Sequence, residues 1–281
     1  MKPYQKGKGK PKQTEDVVKN RVFDATYQKD ETYRPVLRGS DIEKYLIKWD
    51  GSSWIKFGDC LAEPRYSGNF DAPEKIVIRQ TGDSLISTID DRQFICMNNL
   101  HILHCTSQDY SLKYILGLIN SSFMNYFYQC LNPEKGEALA EVKKNHVEQL
   151  LIPTAGEGDR AAIEKLVSYV LYLTEQLKDV PTIGKGLEQA SADKVMTQYF
   201  EKIIDALVYE LYLTEELHTK NKYFMRYLLA ENLPDLEIIE GNKIVTLRQI
   251  FQKLFHKDYP IAKNLFFLDS VEEIRIIEGK K

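Results

Sequence analysis

The stretch from Pro73 to Leu103, PEKIVIRQTGDSLISTIDDRQFICMNNLHIL, decides the reading of this chain. It opens on a short apolar run, sets Arg79, Gln80 and Thr81 in front of Gly82–Asp83, and enters a second run rich in Ile, Ser and Thr. Two β-prone runs around a Gly–Asp turn predict a hairpin. On a strand, Lys75, Val77 and Arg79 share one face and Ile76 and Ile78 the other. The isoleucines are expected to enter the core, with Lys75 and Arg79 pointing out together. A guanidinium, an amide and a hydroxyl at a hairpin end suit base edges or phosphates. They equally suit a solvated turn, with Arg79 paired to Asp83 or Asp90 for little energy.

The neighbouring segments repeat the pattern. RVFDATY (21–27), SSWIKF (52–57) and RQFICMNNLHIL (92–103) are short and β-prone, without intervening helices, which favours an antiparallel sheet or barrel over a βαβ fold. One helix is predicted near Ser40–Tyr45, with Ser40 as N-cap. From Ser111 the period changes: Leu112, Ile115, Ile119, Phe123, Tyr126 and Cys130 recur at three and four, predicting one amphipathic helix over Ser111–Cys130. A polar, mixed segment follows and ends in a strand-like run before Pro153. Two helices come next, one carrying Ile163, Leu166, Val167, Val170, Leu173 and Leu177, the other Met196, Phe200, Ile203, Leu207 and Leu211. Broken at Pro181, they predict an antiparallel helical hairpin. Beyond Leu217, NKYFMRYLL and TLRQIFQKLF read as helical, while LEIIEGNKIVTL reads as a hairpin turning at Gly241–Asn242. The expected class is α+β. A largely antiparallel β region with a packed helix occupies 1–153, a helical hairpin 154–216 and a small α+β extension 217–281.

Composition bounds the function. The chain has 281 residues, 43% hydrophobic, enough for a sizeable core. A net charge of −3 argues against a uniformly basic nucleic-acid binder but leaves room for a local basic face. Cys60, Cys96, Cys105 and Cys130 form no C-x-x-C pair, which favours reduced thiols and a cytoplasmic setting over disulfides or zinc. No apolar stretch reaches membrane-spanning length, and the opening residues lack the apolar core of a secretory signal. Lys2–Lys12 holds five lysines and no acid, and reads as a flexible tail or as a basic arm along phosphates.

Catalytic motifs are missing from the sequence. There is no G-x-G-x-x-G, no G-x-x-x-x-G-K-[ST] and no G-x-S-x-G. His101 and His104 lie near Cys96 and Cys105, but residues three apart on a strand face opposite sides, so no metal site is expected. The triplets Glu141–Lys143 (EVK) and Glu278–Lys280 (EGK) fit part of a Mg²⁺ nuclease signature, yet neither follows a convincing strand with a placed Asp.

Several blocks, in their order, carry a resemblance: YRPVLRGSDIEKY (33–45), EKIVIRQTGDSLISTID (74–90), MNNLHIL (97–103), LKYILGLINSSFMNYFY (112–128) and LLIP (150–153). Together they resemble the TaqI-like C-terminal specificity domain, the target recognition module of type IIG restriction-modification enzymes and related N6-adenine DNA methyltransferases. KPYQKGKGKPKQT (2–14) is similar to the segment that enters that module, and the helices from Asp159 to Leu213 to those that follow it. The resemblance implies sequence-specific recognition of double-stranded DNA. It also implies a methyltransferase domain N-terminal to the module, which binds S-adenosylmethionine and flips adenine with an Asn-Pro-Pro-Tyr motif. Only Asn132–Lys135, NPEK, approaches that motif here, and it lacks the second Pro and the aromatic. The expectation is a recognition fragment without catalysis, cofactor or metal of its own. S-adenosylmethionine, Mg²⁺ and any nuclease then belong to the parent enzyme.

The residues expected at the DNA are Lys6, Lys8, Lys10, Arg38, Arg65, Lys75, Lys143 and Lys144 as cations, and Arg79, Gln80, Thr81, Asn98, Asn99, His101 and Asn145 nearer the bases. Two other classes stay open: a protein-interaction scaffold built on the helical hairpin, and a Mg²⁺-dependent nuclease whose acids are dispersed.

Overall fold

The structure is a computed structural model that describes residues 1–66, 68–137, 139–179 and 187–280. It divides into two compact units, one of Met1–Thr106 with Glu134–Lys144, the other of Ser107–Pro133 with Asn145–Lys281. The class is α+β.

In the first unit the lysine-rich opening is no loose tail. Gln13 is buried, and its side-chain amide donates to the carbonyls of Pro3 (2.9 Å) and Cys60 (2.8 Å). The amide of Ala62 donates to Pro3 O, and that of Lys10 to Asp59 O at 2.7 Å. Met1 anchors the start of this run in the core, its ammonium donating to Cys96 O at 3.0 Å, and Gln13 fastens the rest. Thr14 caps α1 (Glu15–Asn20) by accepting from Val17 N.

The strands are β1 (Asp24–Ala25), β2 (Tyr33–Leu37), β3 (Ile42–Glu43), β4 (Leu46–Ile47), β5 (Trp54–Lys56), β6 (Lys75–Arg79), β7 (Ser87–Asp90), β8 (Ile95–Cys96) and β9 (Leu100–Leu103). They form sheets ordered β1-β5-β2-β8, β3-β4 and β7-β6-β9, antiparallel except for the β2–β8 pair. The helix expected near Ser40–Tyr45 is instead a 3₁₀ turn, Gly39–Asp41, followed by the β3–β4 hairpin. Asp41 accepts from the amide of Arg38 at 2.7 Å and closes that turn, while Ile42 and Ile47 enter the core. Val36, Leu37, Ile55, Leu61, Phe94 and Ile95 belong to the same core.

The second unit begins with α2 (Leu112–Asn120) and α3 (Ser122–Leu131), where one continuous helix was expected. Ser121 makes the break. It is extended (φ −68°, ψ 154°), its hydroxyl donates to Leu118 O (2.7 Å), and the same oxygen caps α3 by accepting from Met124 N. After the short α4 (Lys144–Val147) come α5 (Glu157–Leu177) and α6 (Leu187–Tyr212). Tyr169 packs on Phe200, while Ile163, Val167 and Ile204 meet at Gly117, so the register of α6 falls as that of α5 rises and the pair is antiparallel. The break expected at Pro181 lies outside the described residues. The remainder is helical: α7 (Thr214–Thr219), α8 (Met225–Ala230), α9 (Lys243–Phe255), α10 (Pro260–Phe266) and α11 (Glu272–Ile277). The hairpin expected across Gly241–Asn242 is therefore absent. Asn242 accepts from Ile244 N and caps α9, whose buried Leu247 and Leu254 lie on the same face two turns apart.

Candidate nucleic-acid interface

Strand β6 is held rigidly. It is the middle of three strands, and Lys75, Ile76, Val77 and Ile78 are all buried. The expected division into a core face and an outward face fails for that reason: Val77 belongs to the main core, and Ile76 and Ile78 are covered as well. Lys75, expected at the DNA, is fully buried. Its Nζ lies 2.6 Å from Asp90 and 3.2 Å from the carbonyl of Phe70. The cause is hairpin register, which places Lys75 opposite Asp90. Lys75 is a core ion pair and does not reach a duplex.

The end of the strand is different. Past Arg79 the chain stays paired: Gln80 N donates to Asn99 O (3.0 Å), Val142 N to Gln80 O (2.6 Å) and Gly82 N to Ala140 O (2.9 Å). Thr81 forms a bridge with Glu141. Residues 140–142 thus run as a short antiparallel strip beside 80–82. On the other side lies the turn at Gly39. A Cβ there would stand 3.2 Å from both Arg79 Cγ and Asn99 Nδ2, so any larger residue would make these neighbours give by a few tenths of an ångström. The fold thereby gathers Arg79, Gln80, Thr81, Asn99, His101 and Lys143, with Arg38 one residue before the turn and Asn98 exposed next to Asn99.

The groups differ in how far they are engaged. Arg79 donates from Nε to Thr81 O (3.0 Å), and no carboxylate among the described residues pairs with it. The pairing with Asp83 or Asp90 is not formed. Asp83 instead accepts from Ser84 Oγ (2.9 Å) and Gly136 N (3.0 Å), which hold its carboxyl below the usual aspartate range. Gln80 Nε2 reaches Glu141 at 3.4 Å. Lys143 lies between Glu134 (3.1 Å) and Glu141 (3.3 Å), whose hydrogen bonds, with their charges, raise its pKa. His101 Nε2 donates to the carbonyl of Val142 (2.7 Å), since a carbonyl only accepts, so this imidazole fastens the added strip. Asn99 Oδ1 is buried without a partner. Arg38 donates to Ser53 Oγ at 2.9 Å.

The other candidates lie elsewhere in the chain. Lys6 pairs with Glu15 at 2.9 Å, while Lys8, Lys10 and Arg65 are exposed in the opening segment and just beyond the Asp59–Glu63 strip that segment is bonded to. Lys144 and Asn145 are exposed at the start of α4. Sequence reasoning missed Gly39 and Glu141 as parts of the edge. The signal was present in the alternation of buried Ala140, half-buried Glu141 and buried Val142, a strand pattern inside a segment read as polar and mixed. The same geometry answers the EVK triplet: Glu141 and Lys143 pair with each other and with Gln80 and Glu134. Among the described residues no group of three His, Cys, Asp or Glu could hold a metal ion, and no helix is long and apolar enough to cross a membrane.

The edge lies inside a segment with a known counterpart. Residues 34–152 match the TaqI-like C-terminal specificity domain. No curated protein matches the chain. The specificity-domain match runs from β2 to the segment just past α4 and includes every element of the strand-end cluster. A specificity domain is a non-catalytic module, and the match supports DNA sequence recognition of the kind used in restriction-modification enzymes.

Proposed function

We propose that this chain is the DNA target recognition part of a restriction-modification enzyme, and that the end of β6 is where it reads sequence. Arg79, Gln80, Thr81, Asn98 and Asn99 face base edges, since Arg suits guanine and Asn or Gln suits adenine in the major groove. Lys8, Lys10, Arg38 and Arg65 take phosphates, joined by Lys6, Lys143, Lys144 and Asn145 once their present contacts are exchanged. The observation that carries the reading is a guanidinium without a carboxylate partner at the end of a fully buried strand, inside the matched segment. A base contact on so rigid a support loses little entropy on binding.

Methyl transfer belongs, on this reading, to a separate domain that binds S-adenosylmethionine, and Mg²⁺ to any nuclease of the parent enzyme. The residues here do not fit that cofactor: Asn132, the sole Asn before a Pro, is buried and caps α3 with its amide on Tyr128 O. We place the protein with its DNA in the cytoplasm.

The test is selection of duplexes from a randomised pool by the wild-type chain and by Arg79→Ala. A base-reading Arg79 gives a consensus that loses information at one position, with a cost of about 1–3 kcal/mol there. Equal weakening on all sequences would move Arg79 to a phosphate. An unchanged consensus with unchanged affinity would remove the strand end from the interface.

A further inference from the structure

The helical unit carries a second surface, independent of the DNA reading. Tyr199 of α6, Phe255 at the end of α9 and Phe266–Phe267 at the end of α10 surround a cavity of about 760 Å³, with Leu268 and Tyr209 also in its wall. The two tyrosines are buried, but the three phenylalanine rings are not covered. Phe266 is 78% exposed, Phe267 56% and Phe255 53%, an apolar cluster of a kind that soluble surfaces rarely leave bare. Four lysines, Lys202, Lys257, Lys263 and Lys280, also line it. Lys280 pairs with Glu278 and Lys263 with Asp258 at 3.6 Å, whereas Lys202 and Lys257 have no ion-pair partner among the described residues. Lys222 adds a cation 5.3 Å from the Phe267 ring.

We propose that this pocket docks an acidic amphipathic helix of a partner protein, one or two bulky apolar side chains filling the cavity and its carboxylates meeting Lys202 and Lys257. The rings extend beyond the cavity mouth, so a small molecule filling it would leave them in water, whereas a helix with anchors at i, i+3 or i+4 and i+7 covers them. A second copy of this chain would bring the same unpaired ammonium groups face to face, which opposes self-association. Single-stranded nucleic acid needs a continuous basic track beside its stacking rings. Here Glu278 and Asp258 already neutralise two of the lysines, and the carboxylate of Asp205 also sits in the wall.

The probe is a library of displayed helical peptides, selected on the full chain and counter-selected on Phe266→Ser/Phe267→Ser, with the enriched peptide then synthesised. The expected peptides carry apolar anchors at helical spacing flanked by Asp and Glu. Binding measured by fluorescence anisotropy should weaken about tenfold or more in the double Ser variant, as for loss of an interface anchor. It should also weaken in Lys202→Glu/Lys257→Glu and with added salt. Both variants replace exposed side chains, and circular dichroism checks that they fold. Their duplex DNA binding should be unchanged, which separates this proposal from the DNA reading. Failure to enrich any peptide over the double Ser variant overturns the proposal, as does enrichment of neutral or basic peptides. Oligothymidylate binding that the double Ser variant abolishes would assign the surface to nucleic acid, and concentration-dependent dimerisation lost in that variant would assign it to a second copy; either result overturns it.

Discussion

Lys75 and Asp90 face each other across β6 and β7 with neither side chain accessible, so a 2.6 Å ion pair has to offset the desolvation of two charges. Asp90 is otherwise well supplied, accepting from Arg92 N (2.8 Å) and Phe94 N (3.0 Å). Removing one partner leaves the other charge buried and uncompensated. Lys75→Met is therefore expected to cost about 3–5 kcal/mol in urea unfolding, and Lys75→Met/Asp90→Asn to recover part of that loss because no lone charge remains. A double variant no better than the single one would mean that packing, not charge, governs the site. Asp83 makes a smaller, pH-dependent contribution. Its carboxyl is held below the ordinary value by the Ser84 hydroxyl and the Gly136 amide. A depressed folded pKa gives stability that is present above the ordinary aspartate pKa, about 3.9, and is lost as pH falls through the folded value. A carboxyl ¹³C titration of Asp83 should have its midpoint below that value, and Asp83→Asn should flatten the acid side of the stability profile.

At the scale of elements, α2 and α5 pack closely. A Cβ on Gly117 would stand 2.9 Å from the Cγ2 atoms of both Ile163 and Val167. Those methyls belong to β-branched helical residues with little rotamer freedom, so they cannot swing aside. Alanine gains about 1 kcal/mol of helix propensity over glycine, but overpacking costs about 1–3. Gly117→Ala should lose about 1 kcal/mol net in chemical denaturation and Gly117→Val more. Gly158→Ala, whose Cβ meets only Leu229 Cδ2 at 3.7 Å, should be neutral or stabilising. Equal effects at the two glycines would contradict the close packing. Elements of this kind were legible in the sequence because α5, α6 and α9 bury stripes at spacings of three and four that no turn interrupts. The breaks were less legible. Ser121 sits within an unbroken apolar period, and only its hydroxyl bonds to Leu118 and Met124 show why the helix stops. Gly241–Asn242 carries a turn signature that a cap satisfies equally well. Lys75 was misplaced because alternation alone cannot tell a half-buried strand from a central one, although an acid at the mirrored position of the hairpin, Asp90, was the available signal. The strand end was the most legible part of the candidate site, since Arg79, Gln80 and Thr81 stand where the apolar run stops.

At the scale of the whole molecule, on the proposed reading, charge sets the strength and character of DNA binding. The chain is net negative at −3, so affinity has to come from a few local cations and not from its overall field. Lys6 and Lys143 are tied to carboxylates. Lys8, Lys10, Arg38 and Arg65 have no carboxylate partner among the described residues. If those four neutralise phosphates, log K should fall against log salt with a slope of about −3.6, at roughly 0.9 per contact. A recognition module acting without the phosphate contacts of a partner domain should also bind weakly, with Kd in the range of about 10⁻⁴–10⁻⁶ M at physiological salt. Fluorescence anisotropy on a duplex over 50–300 mM NaCl measures both quantities. Lys8→Glu/Lys10→Glu should shallow the slope by about two without changing the preferred sequence, because the opening segment is fastened by Gln13 and not by those lysines. A nanomolar complex insensitive to salt, or a double variant with the full slope, would show that the opening segment lies off the DNA and that base contacts alone hold the complex.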